Sequence, residues 1–338
     1  MASIDIGIDL GTATVIVYLG NKGIVLKEPN VVALNVNTGE VLSVGEEAYR
    51  MIGRTPDYIR AIRPLEDGVI SDYDATEQMI KYFLKKVSGG AILRPRVSVC
   101  VPSGITEVES NAVVDAAVAA GARKVYLIEE PVAAAIGAGI DITRPNGILI
   151  VDVGGGTCDI AMLSLAGIVS KTSIKVAGNK FDAAVTRHIR NSNNILIGER
   201  TAEMIKQEIG NVFVADPEVK TIIKGRNLVN GLPQKLEISQ AELYAPLNEL
   251  AMQIVHSIQQ VLERTPPELV GDVHSNGVVL TGGGSLIRGL PELITHRLRI
   301  KAAIANNPVE CVAIGTGKSF DYLGELQDGF VGASTHRR

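Results

Sequence analysis

Cysteine is scarce in this chain: three in 338 residues, Cys100, Cys158 and Cys311, with no C-x-x-C pair. The odd number and the spacing exclude a disulfide scaffold and a thiolate zinc site, and point to a reducing cytosol. The five histidines are scattered without metal-ligand spacing. Positive charge is not in excess: the formal net charge is -4, so nucleic acid is not an expected partner. No apolar run is long enough to span a bilayer. The first residues enter a strand almost at once (Ile4-Asp5-Ile6-Gly7-Ile8), so no signal peptide is expected. What the chain has instead is apolar content, 46%, ample for the cores of two domains or one large bilobal unit.

It also writes one motif twice. The first copy is Ile8-Asp9-Leu10-Gly11-Thr12-Ala13-Thr14-Val15-Ile16 and the second is Val151-Asp152-Val153-Gly154-Gly155-Gly156-Thr157-Cys158-Asp159-Ile160. Each is an apolar strand ending in Asp, a Gly/Thr turn and a second apolar strand. A further strand-like run follows each, Gly23–Leu26 and Ser173–Val176. Glycine lets backbone N–H groups approach an anion, and threonine adds hydroxyl donors. Two such tips facing each other can grip a polyphosphate from both sides, with the two Asp residues holding its metal ion.

Residues 4 to about 45 read as a β-meander with turns at Gly20-Asn21-Lys22-Gly23 and Asn37-Thr38-Gly39-Glu40. Helices are expected over 78–87, 107–120, 130–138, 180–190, 203–210 and 240–263, and strands over 96–101, 125–128 and 277–280. Pro131 sits in the first turn of its helix, where it is tolerated. Strands first, then α/β alternation, in each half, imply mixed sheets flanked by helices.

These residues resemble the superfamily of actin, DnaK-type chaperones and sugar kinases. Asp9-Leu10-Gly11-Thr12 is similar to its first phosphate motif, Asp152–Thr157 to its second, and Leu280-Thr281-Gly282-Gly283-Gly284 to its adenosine motif. Within it the chain most resembles the MreB family of bacterial actins, over nearly its whole length. Lys22–Pro29, Met51–Pro56, Arg63–Ile70, Cys100–Thr106, Ile128–Pro131, Pro266–Leu269 and Val312–Lys318 carry the likeness. It departs from the family at Thr14, where Asn is typical, and at Cys158, usually Thr.

The resemblance implies an α/β actin-like fold of two lobes, each a mixed sheet flanked by helices, with nucleotide in the cleft. Lobe I would span 1–144, with a small subdomain at about 30–65. Lobe II would span 145–330, with a small subdomain at about 181–240. Residues 315–330 would pack back on lobe I, and 331–338 would form a tail. The implied cofactors are ATP or ADP and Mg²⁺, the metal held by Asp9 and Asp152. Gly11, Thr12, Ala13 and Thr14 would line one side of the phosphates, and Gly154, Gly155, Gly156 and Thr157 the other. Glu203 and Lys206, one helical turn apart, would contact ribose and adenine, and Gly282, Gly283, Gly284, Ser285 and Leu286 would close over the nucleotide. Glu130 would position the attacking water, with Thr157 holding it from the opposite lobe; Glu129 beside it reads as structural.

The loop Gly89–Arg96 places Ile92 and Leu93 beside Arg94 and Arg96, a composition suited to an anionic bilayer surface. The implied function is an ATPase that polymerises into protofilaments at the inner face of the cell membrane. There it would organise cell shape with wall-synthesis or other morphogenetic membrane proteins. A DnaK-like chaperone ATPase, which needs a peptide-binding domain, and a small-molecule kinase, which needs a second-substrate pocket, are the alternatives.

Overall fold

The structure, a computed structural model, describes residues 5–88, 94–322 and 330–332. The chain opens with β1 (Asp5–Leu10), β2 (Thr14–Leu19), β3 (Gly23–Pro29), β4 (Val32–Asn35) and β5 (Val41–Val44). Next come α1 (Glu46–Met51), β6 (Ile59–Ile62), the short hairpin β7 (Leu65–Glu66) and β8 (Val69–Ile70), and α2 (Tyr73–Ser88). β9 (Arg96–Val101), α3 (Glu107–Ala119), β10 (Lys124–Glu129) and α4 (Glu130–Gly137) complete the first half.

The second half starts with β11 (Ile148–Val153), β12 (Cys158–Ser164), β13 (Gly167–Ile174) and α5 (Gly178–Asn193). It continues through β14 (Ile195–Leu196), α6 (Glu199–Ile209), β15 (Lys220–Asn227), β16 (Pro233–Ser239) and α7 (Gln240–Glu263). α8 (Pro267–Asn276), β17 (Val278–Thr281), α9 (Leu290–Leu298), β18 (Ala302–Ile304), α10 (Cys311–Lys318) and β19 (Phe330–Gly332) close it.

The two halves repeat one topology. The first large sheet runs β19-β10-β9-β1-β2-β3 and the second β13-β12-β11-β17-β18. In each, an antiparallel three-strand meander is extended by two parallel strands beside its first member. The meander expected over residues 4–45 stops at β3. β4 and β5 leave it: β4 pairs with β5 on one side and β6 on the other in a separate three-stranded sheet, after a break at the buried Asn30 between β3 and β4. The C-terminal segment is corrected too. Leu127 and Tyr126 pair with Val331 and Gly332 in β19, so those two residues extend the large sheet instead of starting a tail.

Burial explains the central strands. All six residues of β11 are buried, as a strand covered on both faces requires. α3 and α7 each begin with a capping box, Thr106 with Glu109 and Ser239 with Glu242, which satisfies the first free N–H groups. One apolar core lies in each half, and a third cluster around Val132–Ile136 of α4 joins Ile128 of the first sheet to Ile150 and Ala161 of the second.

α4 and α10 cross at backbone contact. A Cβ at Gly315 would run into the Ala133 carbonyl oxygen, and one at Gly137 into that of Cys311. Gly315→Ala is therefore expected to destabilise the protein by on the order of 3 kcal/mol, the upper range for overpacking. Thermal unfolding of the variant beside Gly271→Ala, where the added Cβ meets open space, checks it.

Candidate functional site

Because the two sheets are related copies, their equivalent strands β1 and β11 end at equivalent points, facing each other. Asp9 is next to last in β1 and Asp152 in β11. The turns that follow are in contact: a Cβ on Gly155 would lie 2.7 Å from Ala13 Cβ, and one on Gly156 2.6 Å from Thr12 Oγ1. Only glycine permits so close an approach. Between the lobes lies a cavity of about 650 Å³. Gly11, Thr12, Ala13 and Thr14 line it from lobe I, and Gly154, Gly155, Gly156 and Thr157 from lobe II, together with Asp9, Asp152 and Glu130.

The third glycine run completes one wall. Gly282, at φ 79°, follows β17, and a Cβ on Gly284 would meet Val153 Cγ1 at 2.6 Å, so this turn sits on the end of β11. Gly282, Gly283, Gly284 and Leu286 face the cavity. Ser285 does not: it is fully buried, and its hydroxyl donates to the Gly282 carbonyl at 2.7 Å, so it closes the turn instead of facing a ligand. Glu203 and Lys206 also line the cavity, each already engaged. Tyr49 Oη donates to Glu203 Oε2 (3.0 Å), and Lys206 Nζ pairs with Asp182 (2.9 Å).

The electrostatics of the site are unusual. Burial raises the Asp9 carboxyl to about 6, against a hydrogen bond from Cys100 Sγ (3.2 Å) that works to lower it. Burial raises Asp152 to about 7, with Asp159 and Asp9 adding to the rise, while the Thr281 hydroxyl donates to it at 2.6 Å and opposes. Glu130 is pushed well above the usual carboxylate range by burial and then by Asp159, Asp152 and Asp9. Acidic oxygens thus converge, Asp152 and Glu130 each raised further by the carboxylates beside them. Buried like charges of this kind are stable only with a cation among them or with protons bound.

Glu129, adjacent in sequence, does something different. Both of its carboxylate oxygens accept from Lys171 Nζ (2.6 and 2.8 Å), tying β10 to β13 across the lobes. Arg96 is likewise occupied, its Nε donating to Asp5 Oδ1 at 2.7 Å, so Arg94 is the exposed arginine of the pair. Ile92 and Leu93 lie outside the described residues.

Three contributors escaped the sequence reading. Thr281 reads in the sequence as part of a glycine motif and not as a donor to Asp152. Asp159, fully buried on β12, accepts from Ser103 N–H (2.7 Å); a carboxylate in an otherwise apolar strand was the available signal. Asn30 gave no signal at all.

The family model for MreB/Mbl protein matches residues 3–328. This chain belongs to the MreB/Mbl family. Among its relatives in that family, the cell shape-determining protein Mbl of Bacillus subtilis is 50% identical over 323 residues, covering 95% of this chain and 97% of Mbl. The cell shape-determining protein MreB of Escherichia coli is 44% identical over 329 residues, covering 96% of this chain and 95% of that MreB. The crystal structure of Spiroplasma citri MreB5 bound to AMPPNP superposes with a TM-score of 0.90 at 38% identity, over 96% of this chain and 97% of MreB5. The same MreB5 is also known bound to ADP. The fold is therefore the actin-like one: two lobes of mixed sheet flanked by helices, with a cleft between them.

Proposed function

We propose that this MreB/Mbl protein binds Mg-ATP between its lobes, hydrolyses it slowly and polymerises into protofilaments on the inner face of the cell membrane, where it organises cell shape. The observation that carries the nucleotide reading is the contact of the two glycine tips over a cavity that also holds Asp9, Asp152 and Glu130. MreB5, at 38% identity, was crystallised with AMPPNP and with ADP.

The donor set suits Mg²⁺. The acidic groups are hard oxygens, which that ion prefers, and their raised pKa values mark a place that favours added positive charge. Asp9 and Asp152 would hold the ion's water shell; bound there, Mg²⁺ would neutralise charge that develops on the phosphates. Glu130, at the N-terminus of α4, would orient a water and accept its proton, with the Thr157 hydroxyl steadying that water from lobe II. Glu203 would reach the ribose by sharing its carboxylate with Tyr49. Phosphate release on adding Mg-ATP, alongside sedimentation of filaments with and without nucleotide, tests the reading as a whole. Phosphorylation of an added small molecule would instead favour a kinase.

Among the described residues no helix is long and apolar enough to cross a membrane, so attachment would be peripheral. The candidate contact is the segment with Ile92 and Leu93, which follows α2 and precedes the exposed Arg94. Full burial of two such side chains is worth roughly 3–6 kcal/mol, repeated along a filament. Ile92→Ser with Leu93→Ser is expected to abolish co-flotation with anionic vesicles while filaments still form. A variant that assembles and floats like the parent would place the membrane contact elsewhere.

A further inference from the structure

The Arg63–Ile70 segment is among the family-like stretches, yet the chemistry above gives it no part. It forms the β7–β8 hairpin, whose turn residues Asp67 and Gly68 have φ of 49° and 79°. This is the left-handed pair that a two-residue hairpin turn needs. The tip lies where the two phosphate loops meet. Gly68 N–H donates to Thr12 Oγ1 at 3.1 Å, on the lobe I loop. On the lobe II loop, a Cβ at Gly156 would lie 2.9 Å from Asp67 Cα, and one at Gly68 2.9 Å from Thr157 Cγ2. The tip is a spacer in contact with both loops.

One side chain fastens this spacer. Asn30 is fully buried. Its Nδ2 donates to the Thr12 carbonyl (3.0 Å) and to the Leu65 carbonyl (3.2 Å), and its own N–H donates to the Ala13 carbonyl (3.0 Å). A single carboxamide therefore joins the first phosphate loop to the first strand of the hairpin. Its Oδ1 is buried without a partner. That is a cost an aliphatic side chain would avoid. The two donated bonds are what offset it, since without them two buried carbonyls lose their donor.

We propose that Asn30 is a positioning residue for hydrolysis. Acting through the Asp67–Gly68 tip, it sets the separation of the two phosphate loops and so places Thr157 opposite Glu130. The proposal rests on the ATPase reading. Each loop grips phosphate through its own turn; the lobe II turn, for instance, is closed by Gly154 N–H to the Thr157 carbonyl at 2.9 Å. Binding therefore tolerates a small change in separation. Hydrolysis does not, because the groups that address the water come from opposite lobes, and a displacement of about 1 Å can cost about a hundredfold.

The test uses the full chain and compares the parent with Asn30→Ala, Gly68→Ala and the double variant. Ala at position 68 is strained at that φ, and its Cβ would press on Pro102 Cγ (2.6 Å) as well as on Thr157. Mg-ATP affinity is measured by titration and hydrolysis by single-turnover phosphate release. Each single change is expected to slow hydrolysis roughly tenfold or more while affinity changes less than about threefold. The double variant is expected to be no slower than the slower single, since both act through one hairpin. Unchanged rates, equal losses of rate and affinity, or losses that multiply in the double variant would each overturn the assignment. If Asn30→Ala does not fold, Asn30→Ser, which keeps a polar side chain but cannot bridge both carbonyls, is read by the same split between rate and affinity. A parent that binds or hydrolyses no ATP overturns the ATPase reading itself; a parent that hydrolyses ATP beside variants that keep pace overturns only the role of Asn30.

Discussion

Asp152→Asn is expected to give a folded protein, more stable than the parent without ligand at pH 8, that no longer responds to Mg-ATP. The two effects share a cause. Asp152 is buried at the end of β11, and burial raises its carboxyl from 3.8 to about 7. The native protein thus holds this proton more tightly than the unfolded chain does. The group's contribution to stability is complete below about pH 4 and is lost as pH climbs to about 7. The loss is on the order of a few kcal/mol, since each pKa unit corresponds to about 1.4 kcal/mol. Asn keeps an oxygen to accept from the Thr281 hydroxyl and carries no charge, so the variant avoids that loss. It also lacks the charge that would hold the metal's water shell. In thermal-shift assays the parent should gain stability with Mg-ATP and the variant should not. The parent's affinity for Mg-ATP should rise as pH goes from 6 to 8, because proton and metal would compete for Asp152. A variant that binds Mg-ATP like the parent would remove Asp152 from the metal's surroundings. Asp9→Asn should act in the same direction with a smaller stability gain, its carboxyl being raised only to about 6.

The duplicated motif made this pair of carboxylates visible before any coordinates. Local chemistry was enough to find it: an apolar strand, an Asp and a glycine turn, written twice. The repeated order of the two large sheets is the three-dimensional form of that repeat. The elements that escaped depend on what a residue meets far along the chain. β4 and β5 are short, mostly apolar runs as a continued meander would have, and nothing within β4 says that its second partner is β6. Val331 and Gly332 become a strand only because the edge of β10 is open to them. Ser285 sits in a run of small polar residues suited to a nucleotide, and only the geometry of its turn directs the hydroxyl inward. Asn30 follows Pro29 and precedes two valines; its bonds to residues 18 and 35 positions away cannot be inferred from those neighbours.

Glu130→Ala is expected to leave Mg-ATP binding and filament assembly in place and to lower phosphate release by about a hundredfold to ten-thousandfold, the range for a positioned acid or base. Glu130 opens α4 immediately before Pro131, is 9% exposed, and lines the same cavity as Thr157. Without ligand its carboxyl is pushed well above the usual carboxylate range by burial and then by Asp159, Asp152 and Asp9. A cation among those carboxylates reverses the local charge and so favours the ionised form, which can take a proton from water. A base here would gain its ionised form with the metal-bound nucleotide in place, so the loss should fall on turnover instead of affinity. Glu130→Gln separates the two halves of the role. Gln can still orient a water through its carbonyl oxygen but cannot accept the proton. Turnover of the Gln variant as low as that of the Ala variant would identify a base; turnover near the parent's would reduce Glu130 to orientation. Phosphate release at the parent's rate in both variants, under conditions where the parent turns over, would show that the water is activated from elsewhere in the cleft.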